Sequence, residues 1–158
     1  MWDRNQHNKI SMMFIDIDDF KIYNDLFGHL SGDDILKKVS SILMDKVDGK
    51  GIVSRYGGDE FAIILPDIGE EEAVTIAESI IKETAVIHKD DDSVFSKITV
   101  SIGISVYPDR ASNEQELVKS ADDALYRAKI FNKNRIETYT FLHTHTACVF
   151  FMLFILCK

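Results

Sequence analysis

The apolar pattern opens with Ile10-Ser-Met-Met-Phe-Ile-Asp-Ile17, which has the length and composition of a buried strand and ends in acids. Residues 18–25 follow, then a turn bearing Gly and His over 27–32. From Asp33 the period changes: Ile35, Leu36, Val39, Ile42, Leu43 and Val47 fall on one helical face, and Asp48-Gly-Lys-Gly51 ends that helix. Two short strands, 52–56 and 61–65, flank Gly57-Gly-Asp-Glu60 in the pattern of a tight hairpin, and Pro66 stops the second. Ala73, Ile76, Ala77, Ile80 and Ile81 form one stripe of a helix over 70–85, whose acidic first turn suits the helix dipole. Residues 89–92 read as a solvated loop, and 97–107, β-branched and alternating, as the strongest strand. Ser112 with Gln115 predicts a capping box for a helix that buries Leu117, Ala121, Ala124, Leu125 and Ala128. A short strand is expected over 135–139.

The order strand, helix, hairpin, helix, strand, helix, strand predicts an α/β (α+β) sandwich with a mixed, largely antiparallel sheet flanked by helices. The 158 residues suffice for one domain, and 46% hydrophobic content for one packed core. A formal charge of −8 argues against a nucleic-acid binder with a basic footprint. An acidic chain still binds an anionic nucleotide where metal ions and a few lysines reverse the sign locally. Cys148 and Cys157 both sit in the last residues, so no disulfide framework holds the body, and a reducing, cytoplasmic setting is the natural reading. Residues 1–9 are polar and lack the apolar core of a signal peptide.

The tail, 140–158, differs in character. From Thr138 onward the only charge is Lys158, and Ala147 to Cys157 is an unbroken apolar run of eleven residues. A membrane span needs roughly 20. Lying on a membrane, covering an exposed sheet face and being a non-native extension are the readings left, the last two favoured.

The candidate chemistry lies in the acids. Alternation sends Asp16 and Asp18 to one face and Ile17 to the other. Alone, Asp16, Asp18 and Asp19 read rather as a solvated loop start with acids at a helix N-terminus. The hairpin changes this, because Asp59 and Glu60 stand directly before a buried strand. If that strand pairs with 10–17, its acids face Asp16, with Arg55 the only basic neighbour in sequence. Such a cluster repels itself unless a hard divalent cation fills it. Metals there would activate a hydroxyl and stabilise a leaving pyrophosphate. The glycines would let phosphates approach the backbone.

Asp16-Ile-Asp-Asp-Phe-Lys-Ile-Tyr-Asn-Asp-Leu-Phe-Gly-His-Leu-Ser-Gly-Asp33, Arg55-Tyr-Gly-Gly-Asp-Glu-Phe61, Thr99-Val-Ser-Ile-Gly103 and Ala121-Asp-Asp-Ala-Leu-Tyr-Arg-Ala-Lys129 together resemble the GGDEF family of diguanylate cyclases. The match runs from Ile10 to about Ile136, and four motifs in order are far more specific than the five-letter signature. The resemblance implies a nucleotidyl-cyclase, polymerase-palm-like GGDEF fold over 10–139. It implies condensation of two GTP into cyclic di-GMP by a homodimer, with Mg²⁺ or Mn²⁺, no nucleic acid as partner, and a membrane link only through missing upstream domains. The alternative is an inactive module that binds GTP and transmits a signal; a fragment that does not fold stably is the third reading.

Position by position, the resemblance makes Asp16, the Ile17 carbonyl, Asp59 and Glu60 metal ligands, with Asp59 and Glu60 also catalytic. Asn24 and Asp33 read the guanine edge, an amide and a carboxylate suiting complementary donors and acceptors. Phe20 and Lys21 contact the triphosphate, Gly57 and Gly58 admit phosphate, and Lys129 and Lys133 hold the outer phosphates as point charges. Without the motif Phe20 reads as core, and the three lysines as solvated surface. His29 is expected to be structural, and His143 with His145 lack the further ligands of a metal site. Three departures stand out. Asp48 and Gly51 replace the family's Arg-x-x-Asp motif, so no feedback inhibition through that site is expected. Asn132-Lys-Asn134 replaces a closing Gly-Arg/Lys-Asn, a mild change because Asn tolerates left-handed backbone. The upstream segment with its helix is missing, which predicts an exposed apolar sheet face.

Overall fold

The structure is a computed structural model that describes residues 9–87 and 97–139. The chain runs β1 (Ile10–Ile17), α1 (Phe20–Phe27), α2 (His29–Val47), β2 (Ile52–Arg55), β3 (Glu60–Pro66), α3 (Glu70–Thr84), β4 (Val100–Tyr107), α4 (Glu114–Ile130) and β5 (Ile136–Thr138). The sheet order is β2-β3-β1-β4-β5. β1 is antiparallel to both β3 and β4, β2 to β3, and β5 alone runs parallel to its neighbour. The expected mixed, largely antiparallel α/β architecture is therefore present.

β1 reads as a nearly continuous apolar run because it is central and covered on both faces. Met13, Ile15 and Ile17 point into the larger core with α2 and α3, contributed by Val39, Leu43, Ala73 and Ile80. Met12 and Phe14 point the other way, against Leu117, Ala121 and Leu125 of α4. That second layer packs at backbone distance over Gly103: a Cβ there would lie 2.1 Å from the Leu125 nitrogen and 2.4 Å from the Ala121 carbonyl oxygen. The absence of a side chain at Gly103 thus sets how closely α4, which carries Lys129, approaches the sheet. At the β2 edge the cross-strand pair Ile52 and Ile64 stands 65% and 40% exposed.

Several boundaries differ from the sequence reading; β2 ends at Arg55, and β3 runs from Glu60 through Pro66, which pairs with Ile10 rather than stopping the strand before it. Residues 20–27 form a helix that the pattern did not announce. It is short, it contains the weak helix formers Asn24 and Asp25, and it is anchored by burying Phe20 and Tyr23. α2 begins at His29 rather than Asp33, because the chain breaks at Gly28 (φ 83°) while Gly32 is helical and buried. The cap of α4 is displaced by one residue: Asn113 Oδ1 accepts from the Glu116 amide at 2.9 Å, and the Glu116 carboxylate accepts from the Ser112 amide at 2.8 Å. β4 begins at Val100 rather than residue 97. The expected loop over 89–92 and the tail with His143, His145, Cys148 and Cys157 lie outside the described residues. Among the described residues no helix is long and apolar enough to cross a membrane.

Candidate active site

The site forms where β1 ends. Strand pairing sets Asp16 directly opposite Glu60 on β3 and opposite Ser101 on β4. The Ile17 amide donates to the Asp59 carbonyl at 3.2 Å, which fastens the hairpin turn to the strand end. The turn itself closes through the Tyr56 amide on the Glu60 carbonyl at 2.8 Å. Arg55 braces it from beside: its guanidinium donates to the Gly58 carbonyl at 2.6 and 3.1 Å and to the Gly57 carbonyl at 3.2 Å. The two glycines do different things. A Cβ on Gly57 would lie 2.9 Å from Glu60 Oε2, so its bareness makes room for that carboxylate; Gly58 faces open space.

Asp16 is 7% exposed. Burial pushes its carboxyl from the ordinary 3.8 up to about 6; a hydrogen bond and the charge of Lys129 oppose this, and the nearby charges of Asp59 and Glu60 add to it. Lys129 Nζ donates to Asp16 Oδ2 at 2.6 Å. Arg55 is the basic neighbour in sequence; α4 delivers a second cation from 113 residues away. Lys133 Nζ donates to Asp19 Oδ1 at 2.7 Å, and that contact raises the lysine's pKa. Among the described residues no group of three or more acidic, His or Cys side chains stands close enough to hold an ion unaided.

Beside the acids lies a cavity of about 410 Å³ lined by Phe20, Lys21, Asn24, His29, Asp33 and Asp59, among others. α1 and α2 meet around it. Asn24 Oδ1 is buried there without a hydrogen-bond partner. It rests against Gly32, where a Cβ would fall 1.8 Å from it. Phe20 is both core and cavity wall, so its two readings are compatible. The sequence-expected residues therefore fall into two neighbouring groups: Asp16, Ile17, Asp59 and Glu60 at the strand end with Lys129 and Lys133 beside them, and Phe20, Lys21, Asn24 and Asp33 around the cavity. Asp59 and Gly58 line that cavity and so join the two.

Sequence reasoning missed one hub. Asp18 accepts hydrogen bonds from Ser101 Oγ at 2.7 Å, Thr99 Oγ1 at 2.8 Å and the Asn134 amide at 2.9 Å. Its partners are more than 80 residues away, and only the hydroxyls opening β4 hinted at them.

The family model for "Diguanylate cyclase, GGDEF domain" matches residues 1–135. The chain is 38% identical over 133 residues to the diguanylate cyclase DosC of Escherichia coli, covering 82% of this chain and 28% of that protein. It thus spans under a third of that relative's length. Among solved structures it is similar to the GGDEF domain of DgcB from Caulobacter crescentus in complex with c-di-GMP (TM-score 0.77, 30% identity, 84% of this chain and 78% of that one). It is equally similar to the active GGEEF domain of a diguanylate cyclase from Vibrio cholerae (TM-score 0.77, 30% identity, 84% and 83% covered).

Proposed function

The chain belongs to the GGDEF domain family of diguanylate cyclases, and we propose that it condenses two GTP molecules into cyclic di-GMP with release of two pyrophosphates. The observation that carries this reading is the register setting Asp16 opposite Glu60, whose neighbour Asp59 lines a cavity together with Asn24 and Asp33. Guanine donates from N1 and N2 and accepts at O6; the Asp33 carboxylate and the Asn24 amide offer the complementary set, and Asn24 Oδ1 is otherwise orphaned. Phe20 and Lys21, in the first turn of α1 and lining the cavity, would contact the triphosphate.

Asp16, the Ile17 carbonyl, Asp59 and Glu60 would hold Mg²⁺ or Mn²⁺. The donor set fits in its chemistry, all hard oxygens, with phosphate and water needed to complete the shell because the side chains do not close on an ion by themselves. Bound there, the cation supplies Lewis-acid polarisation of the phosphate and acidification of the attacking hydroxyl. Glu60 takes the 3′-hydroxyl proton. Lys129 and Lys133 would exchange their carboxylate partners for the outer phosphates as nucleotide arrives, which would free the Asp16 carboxylate as a ligand. Each 3′-oxygen attacks the α-phosphate held by a second copy, so ring closure needs a symmetric pair. Residues 10–139 form the unit, in a cytoplasmic setting where GTP is supplied. Asp48 caps α2 in left-handed backbone, and at Gly51 a Cβ would meet the Ile64 carbonyl oxygen at 2.1 Å. Neither position presents a cation, in keeping with an enzyme free of product inhibition there.

The test is chromatography of cyclic di-GMP formed by the purified chain from GTP and Mg²⁺. Product that vanishes in Glu60→Ala and Asp59→Ala supports the cyclase. Absence of product, with thermal stabilisation by GTP, replaces it with the GTP-binding module.

A further inference from the structure

The segment joining α4 to β5 contains three consecutive residues in left-handed backbone: Asn132 (φ 86°), Lys133 (φ 55°) and Asn134 (φ 46°). Non-glycine residues visit this region singly, and three in a row persist only where surrounding contacts over-determine them. The contacts are visible. The Lys133 amide donates to the Ala128 carbonyl at 3.1 Å, closing the helix end. The Asn134 amide donates to Asp18 Oδ2 at 2.9 Å. Asp18 is itself buried and fixed from the opposite side by Thr99 and Ser101, and its own amide donates to the Thr99 carbonyl at 2.9 Å. Both of its oxygens are therefore engaged by protein donors, and the residue bridges β1, the start of β4 and the strained turn. Lys133 stands in the middle of that turn, its ammonium directed to Asp19 at the mouth of the site.

We propose that Asp18 is a positioning residue for the phosphate-binding cations: it clamps the 132–134 turn in its left-handed form and so fixes where Lys133 can reach. Asp18 touches neither substrate nor metal in this scheme, although Asp16 and the Ile17 carbonyl just before it are assigned to the metal. The proposal rests on the reading of Lys133 as a phosphate contact.

The experiment compares equilibrium binding of two probes in the presence of Mg²⁺: 3′-deoxy-GTP, which carries the triphosphate but lacks the reacting hydroxyl, and GMP, which lacks the outer phosphates. Asp18→Asn should lower 3′-deoxy-GTP affinity on the order of tenfold, the scale of one charge-assisted contact, and leave GMP affinity unchanged. Lys133→Ala should do the same, and the double variant should be no weaker than Lys133→Ala alone. Asn134→Val, at an exposed position where a β-branched residue resists positive φ, should reproduce the selective loss without touching Asp18, which covers the case in which Asp18→Asn does not fold. Equal losses for GMP and 3′-deoxy-GTP would overturn the proposal, as would multiplicative effects in the double variant. If Lys133→Ala binds 3′-deoxy-GTP normally, the phosphate role of Lys133 falls and the clamp falls with it. If only Asp18→Asn and Asn134→Val bind normally, the clamp alone falls.

Discussion

Replacing Asp16 by Asn should stabilise the protein while destroying its function. In the folded chain burial raises the Asp16 carboxyl from 3.8 to about 6. The folded state therefore binds that proton more tightly than the unfolded state does. The stability this gives is fully present below pH 3.8 and is lost as pH rises through about 6. The gap between 3.8 and about 6, at 1.36 kcal/mol for each pH unit, puts the cost of ionising Asp16 at neutral pH at about 3 kcal/mol. An amide is spared this cost, and the half-exposed Lys129 it leaves behind can turn to water, so about 1–3 kcal/mol should be recovered. Urea unfolding of the parent and Asp16→Asn at pH 8 and pH 4 measures it, since titrating groups not coupled to Asp16 cancel in the difference. The variant should be the more stable at pH 8, and the advantage should shrink through pH 6 and be nearly gone at pH 4. A variant less stable at pH 8, or an advantage independent of pH, would refute the burial argument. Cyclic di-GMP formation by the variant should be absent.

Gly103→Ala should destabilise by about 3 kcal/mol in the same assay, because the new methyl meets helix backbone that cannot step aside without moving α4. Gly32→Ala should behave oppositely. Alanine gains up to about 1 kcal/mol of helix propensity, while its methyl displaces the Asn24 amide, so GTP affinity measured by calorimetry should fall roughly tenfold with no loss of melting temperature. Asn113→Ala removes the α4 cap and should cost about 1 kcal/mol by urea unfolding.

What the sequence disclosed and what it concealed divide along physical lines. The strands were legible because β1 and β4 are buried on both faces and so carry uninterrupted apolar runs, and because two adjacent glycines between the β-forming residues of β2 and β3 leave a hairpin as the natural connection. α1 was not, since eight residues with Asn and Asp inside give too few turns to show a period, and its stability comes from burying Phe20 and Tyr23. Glycine misled at one point and guided at another: Gly28 and Gly32 look alike in sequence, yet one breaks the chain at positive φ and the other yields space inside a helix. The cap of α4 slipped by one because Ser112-x-x-Gln115 and Asn113-x-x-Glu116 satisfy the same spacing. In the site, the acids were visible from their crowding and from motif resemblance. The Lys129 contact to Asp16 and the three donors on Asp18 were not, because no local pattern reports a partner some eighty to 116 residues distant.

The most direct test of the site itself is paramagnetic broadening by Mn²⁺ in the amide spectrum of the ¹⁵N-labelled chain with 3′-deoxy-GTP bound. Selective loss of the Ile17, Asp18, Gly58 and Asp59 signals at substoichiometric Mn²⁺ is the expected result. If those signals stay sharp while the acidic turn Glu70, Glu71 and Glu72 broadens instead, the cation does not bind between β1 and the hairpin, and the proposed chemistry loses its centre.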